Sequence, residues 1–489
     1  MRLYSRLIRG DPSWLPEMLG VLGIKAPGMV WLGQLFVPFG LAFDMPEVAL
    51  QLSNQIALLI SCALLFSIVY RSTAQNIAAS LASVICLVSS PLVIALSRQY
   101  LVETWQLAVV LYTVRLSLIQ TSPATRIAQL IGATSLGLLI KATTPGLVII
   151  PCAAMVLELV SQKRRGAAWG NVSPGVAASS LVAFALCLLW YSHNFSTITW
   201  FVKEASSGHL ALYYGQPRPY MEKLALWSQQ ISDALFLHPA FSCGWVLTVI
   251  VGFIKTKGFS NLSRIALFQL LLSLCLFSLQ ISEEPRFALS LAAYFAILIG
   301  IALHKSPTLL AIASVLGLSL QFFSVQLYSF GIKAPFLAAP RTSWLVPIQY
   351  SNLQMEPTID TIVSTCRIDT TTVNTVGVNV KYFNAVSLSF YSRRHFLVLG
   401  TDRTECVFTD FGWAETDAER AWIRTQALRP SFIIFPKDMS SVPADPYNRV
   451  NQIILDKLET SDAQDYKPVP GPKSLQLFKL MRENIDEMN

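Results

Sequence analysis

Five side chains in this sequence combine a chemically active group with a position beside an apolar run: Lys25, Glu103, Lys141, His209 and Arg286. Glu103 follows the polar seam Ser97-Arg98-Gln99-Tyr100-Leu101-Val102 and opens an apolar stretch, where a carboxylate is costly unless it is paired or faces a polar cavity. It reads equally as a helix-start carboxylate answering the positive end of the helix dipole and as a base, a metal ligand or an acceptor-orienting group. Lys25 precedes Pro27 and a short apolar segment and suits either headgroup snorkelling or phosphate binding, whereas Lys141, between two apolar pieces, suits either an ion-pairing or phosphate role or a plain turn lysine. Arg286 follows Glu283-Glu284-Pro285 in a short turn, and its rigid fork of donors matches phosphate oxygens while the neighbouring acids are candidates to position it. His209, between Gly208 and Leu210 in a long connection, is an acid/base, phosphate-contact or headgroup-contact candidate. Asp11, Glu17, Asp44 and Glu47 come before the first secure span, and one of them is a candidate second carboxylate, although no spacing singles it out.

The elements that must position these residues follow from composition. With 489 residues, 53% hydrophobic and only 13% charged, and a mean hydropathy of +0.49, the chain is too apolar for a soluble protein of its length. It reads as a polytopic α-helical membrane protein. The formal charge of +8 sits mostly in short loops, where lysine and arginine orient spans, so nucleic acid is excluded as the expected partner. Six of the eight cysteines lie in apolar segments without ligand spacing and behave as small hydrophobes, whereas Cys366 and Cys406 in the tail could pair in an oxidising compartment. No nucleotide loop, zinc motif or hydrolase triad has the required spacing. Asn194-Phe195-Ser196 fits the glycosylation acceptor pattern.

Apolar runs predict about ten spans, at about 48–69, 77–96, 104–121, 127–139 with 143–160, 174–191, 236–254, 263–281, 286–303 and 307–325. The run at 27–43 is short and broken by Gly and Pro, which favours an interfacial helix. The domain expectation is therefore an external N-terminal segment with that helix over 1–47, a multi-span domain over 48–325 with an external loop at 192–235, and a soluble domain over 330–489. Arg71, Arg126, Lys163 to Arg165, Lys255, Lys257, Arg264 and Lys305 fall in alternate connections and mark the cytoplasmic side, which sends the chemically active residues and the tail to the opposite face. Strand-like and turn-like pieces at 344–349 and 385–390, then 406–411, 431–435 and 475–480 with a helical 415–428, give the tail a small α/β unit.

Taken in order, Lys25-Ala26-Pro27 with Trp31, Ser97-Arg98 with Glu103, Gly132 to Gly137 running into Leu138-Leu139-Ile140-Lys141-Ala142-Thr143, His209, and Glu284-Pro285-Arg286-Phe287 resemble the polyprenyl-phosphate-sugar-dependent integral-membrane glycosyltransferases. That superfamily includes protein mannosyltransferases and aminoarabinose transferase-like enzymes, and the likeness covers about residues 15–325. The resemblance implies a membrane body of about ten spans with a small extracytoplasmic α/β domain, set in a bacterial plasma membrane. It also implies an inverting transfer of a sugar from a polyprenyl-phosphate donor to a lipid, glycan or protein acceptor at the external face. Lys25, Lys141 and Arg286 would then bind the donor phosphate, and Glu103 and His209 would serve catalysis. Membrane lipids and the lipid-linked sugar are the implied partners. No cofactor is firmly required and no residue is singled out as a metal ligand, while a divalent metal stays open. Family members carry an N-terminal span followed by an acidic pair; this sequence opens with neither, so the expectation is an upstream segment or a divergent, even inactive, member. A transporter or flippase, or a non-catalytic membrane scaffold derived from such an enzyme, is the alternative reading.

Overall fold

The structure, a computed structural model, describes residues 2–21, 25–43, 45–119, 121–166, 170–208, 211, 215–237, 239–255 and 260–332, single positions at 342 and 345, and beyond them 372–377, 384–385, 387–389, 391–392, 406–411, 417–437, 446–460, 465–470 and 475–481. The chain forms two compact units, one of Pro12–Gln349 and one of Met1–Asp11 with Tyr350–Asn489.

Helices begin with α1 (Arg2–Ile8), α2 (Trp14–Gly20), α3 (Gly28–Ala42), α4 (Pro46–Ser72), α5 (Ile77–Val88) and α6 (Pro91–Ser97). They continue through α7 (Glu103–Leu118), α8 (Pro123–Ile140), α9 (Ile149–Arg164) and α10 (Pro174–Ser207). After these come α11 (Tyr220–Leu235), α12 (Pro239–Lys255), α13 (Asn261–Ser278), α14 (Leu291–Lys305) and α15 (Thr308–Ser329), with 3-10 turns at Thr144–Leu147 and Pro285–Ser290.

The expected ten spans are too many. Among the described residues, five helices are long and apolar enough to cross a bilayer: Glu47–Ser72, Pro174–Ser207, Asn261–Ser278, Pro285–His304 and Thr308–Ser329. A sixth is gained if α5 and α6, bent by 68° at Ser89-Ser90, form one broken span. The difference lies in helix continuity. The runs at 104–121 and 143–160 fold as α7 and α9, each of 16 residues, which reach about 24 Å at about 1.5 Å per residue against a hydrocarbon core of about 30 Å. Helix α12 has 17 residues, and the apolar face of α8 is diluted by Arg126, Gln129, Thr134 and Ser135. An apolar run measures composition, whereas a crossing needs an uninterrupted hydrogen-bonded helix.

Where helices break, amide side chains take over the freed backbone groups, as a low-dielectric surround demands. Gln321 Nε2 donates to Ser89 O and Leu235 O, both at 3.1 Å. Gln55 Nε2 donates to Ser97 O at 2.7 Å and Asn54 Nδ2 to Leu101 O at 2.9 Å, fixing the seam between α6 and α7. Gln269 bridges the first 3-10 turn to α9: its Nε2 donates to Gly146 O and its Oε1 accepts from Ile150 N, each at 2.9 Å. At the centre runs α14, buried on all sides through Ala292, Ala293, Tyr294, Ala296, Ile297 and Ile299. Lipid tails compete for apolar contact, so close approach of small residues, rather than expulsion of water, holds such a helix in its bundle.

Two of these details place the ends that matter. Helix α8 is capped by Ser122, whose Oγ accepts from Thr125 N at 3.3 Å, and starts on Pro123. At its other end α3 begins so close that a Cβ on Gly28 would lie 2.7 Å from Leu139 O. Only glycine permits that approach, and it brings Lys25-Ala26-Pro27 to the end of α8. Within 192–235 the chain is largely helical: α10 runs on to Ser207, and α11 covers the last part. Asn194 is buried in α10, its Nδ2 donating to Leu19 O and Trp190 O at 2.9 Å each, so the Asn194-Phe195-Ser196 tripeptide is not an accessible glycosylation acceptor.

The second unit contains a five-stranded sheet, β1 (Thr372–Val376), β2 (Cys406–Asp410), β3 (Phe432–Pro436), β4 (Tyr466–Val469) and β5 (Leu475–Leu480), in the order β2-β1-β3-β5-β4. The β1 strand pairs in parallel with β2 and β3, and β5 pairs antiparallel with β3 and β4. Helices α16 (Ala418–Leu428) and α17 (Pro446–Glu459) supply the crossovers, and Phe411, Trp422, Ile433, Phe435, Ile454 and Phe478 meet in one core. Asp417 caps α16 by accepting from Glu419 N and Arg420 N at 3.0 and 3.3 Å. The segment expected as a strand at 385–390 is helical at 385 and 387–389, while 344–349, apart from Leu345, and Cys366 lie outside the described residues.

Replacing Gly28 by Ala should destabilise the membrane body by about 1–3 kcal/mol, because backbone rather than a flexible side chain opposes the new methyl. Gly20→Ala, at a site with no atom within 4 Å of the added Cβ, is the control, and thermal unfolding in detergent reads both.

Candidate functional site

Helix α7 begins with Glu103 in its first turn, and the packing of Gln106, Leu107, Val110 and Leu111 turns that face into the bundle. The Glu103 side chain is consequently 1% exposed. Helix α8 stops at Lys141, whose N–H still donates to Gly137 O at 2.8 Å while its own carbonyl accepts from Thr144 N at 2.9 Å and Thr144 Oγ1 at 2.7 Å. Pro145 cannot continue the helix, so the chain turns here. Held by that turn, Lys141 Nζ donates to Glu103 Oε1 at 2.9 Å. The Pro285–Ser290 turn contributes Arg286, whose Nε lies 3.6 Å from the same oxygen. At that distance the contact is Coulombic rather than a hydrogen bond. Beside them Phe287 presents its ring to both cations, 4.5 Å from Lys141 Nζ and 5.8 Å from the Arg286 guanidinium carbon.

Lys25 completes the group within electrostatic range of Arg286, Glu103 and Lys141. Its side chain keeps solvent access, but the crowded protein around it desolvates the ammonium, and the Arg286 and Lys141 charges oppose it further. These effects outweigh the Glu103 attraction and hold its pKa below the ordinary lysine value of 10.5. His209 lies outside the described residues, as does Asp44. Asp11 pairs with Arg6 at 3.8 Å in the other unit.

Three cations around one carboxylate leave an excess of positive charge, moderated by Glu284, which also acts on Lys141. Each Glu103 contact has a gross attraction of about 5 kcal/mol at an effective dielectric of about 20. Desolvation of several kcal/mol per ion offsets most of it. The cluster therefore adds little net stability, yet removing one member leaves a buried charge uncompensated. The arrangement leaves a local excess of positive charge beside a buried carboxylate.

One sequence expectation is corrected beside it. Glu283 does not position Arg286 through an ion pair of its own; its Oε1 accepts from Lys223 Nζ at 2.7 Å and from Arg218 Nε at 3.1 Å. Lys223, 3% exposed, also donates to Ile281 O, so α11 anchors the segment leading into the Arg286 turn. Arg98 is turned toward other partners, donating from Nη2 to Gln326 Oε1 at 3.1 Å and lying 5.1 Å from the Phe330 ring centre.

The sequence also gave no sign of Gln106, which donates from Nε2 to Thr143 Oγ1 and Thr144 Oγ1 at 3.2 Å each. Its one detectable signal is spacing, three residues after Glu103 and hence on the same helical face. Gln106, Lys141 and Phe287 border a cavity of about 160 Å³. Among the described residues no group of three His, Cys, Asp or Glu is disposed to hold a metal ion.

No protein-family model matches the chain, and no curated protein does. Among solved structures it is similar to ArnT from Cupriavidus metallidurans bound to undecaprenyl phosphate, and to the same protein in the apo state. In both cases the TM-score is 0.57 and the identity 12%, over 97% of this chain and 91% of that one. At that identity the likeness establishes the fold.

Glu103→Gln should lower stability by about 3–5 kcal/mol, the usual cost of stranding buried charge. In a double-mutant cycle, Lys141→Met combined with Glu103→Gln should recover about 1 kcal/mol or more relative to the sum of the single changes. Additive losses in chemical denaturation would show that the pair is not coupled.

Proposed function

We propose that the protein is a membrane glycosyltransferase that moves a sugar from a polyprenyl-phosphate donor to a lipid, glycan or protein acceptor at the external face of a bacterial plasma membrane. The observation that carries this reading is the Lys25, Lys141 and Arg286 cluster around Glu103. Support comes from the fold shared with ArnT, one structure of which has undecaprenyl phosphate bound.

In this reading the three cations hold the donor's phosphodiester. Glu103 keeps Lys141 and Arg286 aimed at one point before the ligand arrives, so that little reorganisation is needed when charge develops. Its Oε2 is buried without a hydrogen-bond partner among the described residues and is the acceptor offered to a substrate hydroxyl or amine. The acceptor's oxygen or nitrogen forms its bond to the anomeric carbon from the face opposite the phosphate. As it does so the carbon–oxygen bond to phosphate breaks, and the electron pair departs with polyprenyl phosphate. The acceptor's proton passes to a nearby carboxylate or to the departing phosphate. The cations act most strongly on that leaving group, because negative charge on it grows as the bond breaks. His209 is a further acid/base candidate in this scheme.

Purified full-length protein in lipid should bind polyprenyl phosphate and release it from a lipid-linked sugar when an acceptor is present. Lys141→Ala and Arg286→Ala should each weaken retention of polyprenyl phosphate by about ten- to a hundredfold, in line with about 1.5–3 kcal/mol for a hydrogen bond to a charged group. Retention by the wild type that is undetectable, or unaffected by both changes, would sink the proposal.

Alkaline pH provides a second check. Only protonated Lys25 attracts phosphate, and its pKa lies below 10.5, so affinity should decline on the alkaline side earlier than an ordinary lysine would dictate. Lys25→Arg should move that decline upward in a pH titration of binding, since arginine stays charged.

A further inference from the structure

From the cavity beside the cation cluster we infer that the donor sugar is a single uncharged ring, and that a ring bearing an ammonium group is excluded. This rests on the glycosyl-transfer reading and deepens it. The cavity, about 160 Å³, adjoins Lys141 and Phe287, so a sugar attached to a phosphate on the cations would project into it. Its volume suits one small ring rather than an oligosaccharide.

The chemistry of the lining sets the class. Gln106, Thr143, Ser273 and Gln280 offer neutral amide and hydroxyl groups, while Phe277 and Phe287 supply aromatic faces. Phe277 is held by Trp227, with ring centres 4.9 Å apart. Amides and hydroxyls that both donate and accept, set against aromatic rings, match the hydroxyl edges and C–H faces of a neutral sugar. No Asp or Glu is among the described residues lining the cavity, and the charged group at its border is the Lys141 ammonium. Glu103 is not among the described residues lining the cavity; its charge is answered by Lys141 and Arg286 on Oε1, and its Oε2 is left to the acceptor. A sugar ammonium placed here would be desolvated without a counter-ion and would meet positive charge, an arrangement that proteins avoid.

The test uses full-length protein in nanodiscs with labelled polyprenyl phosphate as the probe. Two competitors are compared below the pKa of the sugar amine: polyprenyl phosphate linked to a neutral pyranose, and the same conjugate with one hydroxyl replaced by an amine. The neutral conjugate should displace the probe at about tenfold lower concentration or less, a difference of about 1.4 kcal/mol. Gln106→Glu should narrow or invert that preference by supplying a carboxylate, and Gln280→Glu repeats the test from the other wall should the first variant fail to fold. Equal or tighter binding of the amino conjugate by the wild type overturns the inference while leaving the donor-phosphate reading intact, as does a preference unmoved by both variants. Failure of the wild type to retain polyprenyl phosphate at all is a separate outcome, which removes the parent reading and this inference with it.

Discussion

A carboxylate buried at the start of a helix, neutralised by cations from two distant segments, is the constraint around which the membrane body is arranged. Glu103 is tolerable at 1% exposure because Lys141 and Arg286 reach the same oxygen. Those contacts are reached because α8 ends at Ile140, the chain turns at Thr143-Thr144-Pro145, and Pro285 opens a 3-10 turn ahead of α14. The glycine at 28 likewise lets the Lys25 segment approach the end of α8. The net energy of such a cluster is small, because desolvation offsets attraction. Its value is in fixing direction: two cations are aimed at one point, beside a cavity, before any ligand is present.

Keeping these turns inside a membrane body requires that every freed backbone group find a partner. The side chains that do this are amides. Gln321 serves the bend between α5 and α6, Asn54 and Gln55 the seam before Glu103, and Gln269 the passage from the first 3-10 turn into α9. Tyr294 extends the same arrangement from the central helix, donating to Leu147 O at 2.6 Å. Irregular backbone at membrane depth survives where it lines a cavity and is satisfied by protein, and the cavity beside Lys141 is bordered by Gly146 and Leu147 of that turn. The polar residues inside the apolar helices thus mark where the helices break.

Legibility differed between features for identifiable reasons. The cations Lys25, Lys141 and Arg286 and the acid Glu103 stood out because charge beside an apolar run is expensive and therefore rare. Gln106 and Gln269 did not, since a neutral amide carries no charge that makes it rare beside an apolar run, and its role depends on which hydroxyl or carbonyl lies opposite. The number of crossings was overstated because α7 and α9 are short and carry charged residues, and α5 with α6 is bent. In the C-terminal unit the strands at 406–410, 432–436 and 475–480 were readable as apolar runs between turns. β1 and β4 were not, and 385–390, read as a strand-like piece, is helical at 385 and 387–389.

Composition and charge placement by themselves determined the class of the protein, a polytopic helical membrane body followed by an α/β unit, because hydropathy and the rarity of intramembrane charge act residue by residue. They also determined which titratable groups deserved attention. Only the tertiary structure decided that Arg286 answers Glu103 rather than its neighbour Glu283, that Glu283 belongs to Lys223 and Arg218, and that Arg98 faces Gln326. The physical reason is that a Coulombic partner is chosen by distance in space and by the desolvation already incurred. Neither quantity is written in sequence separation.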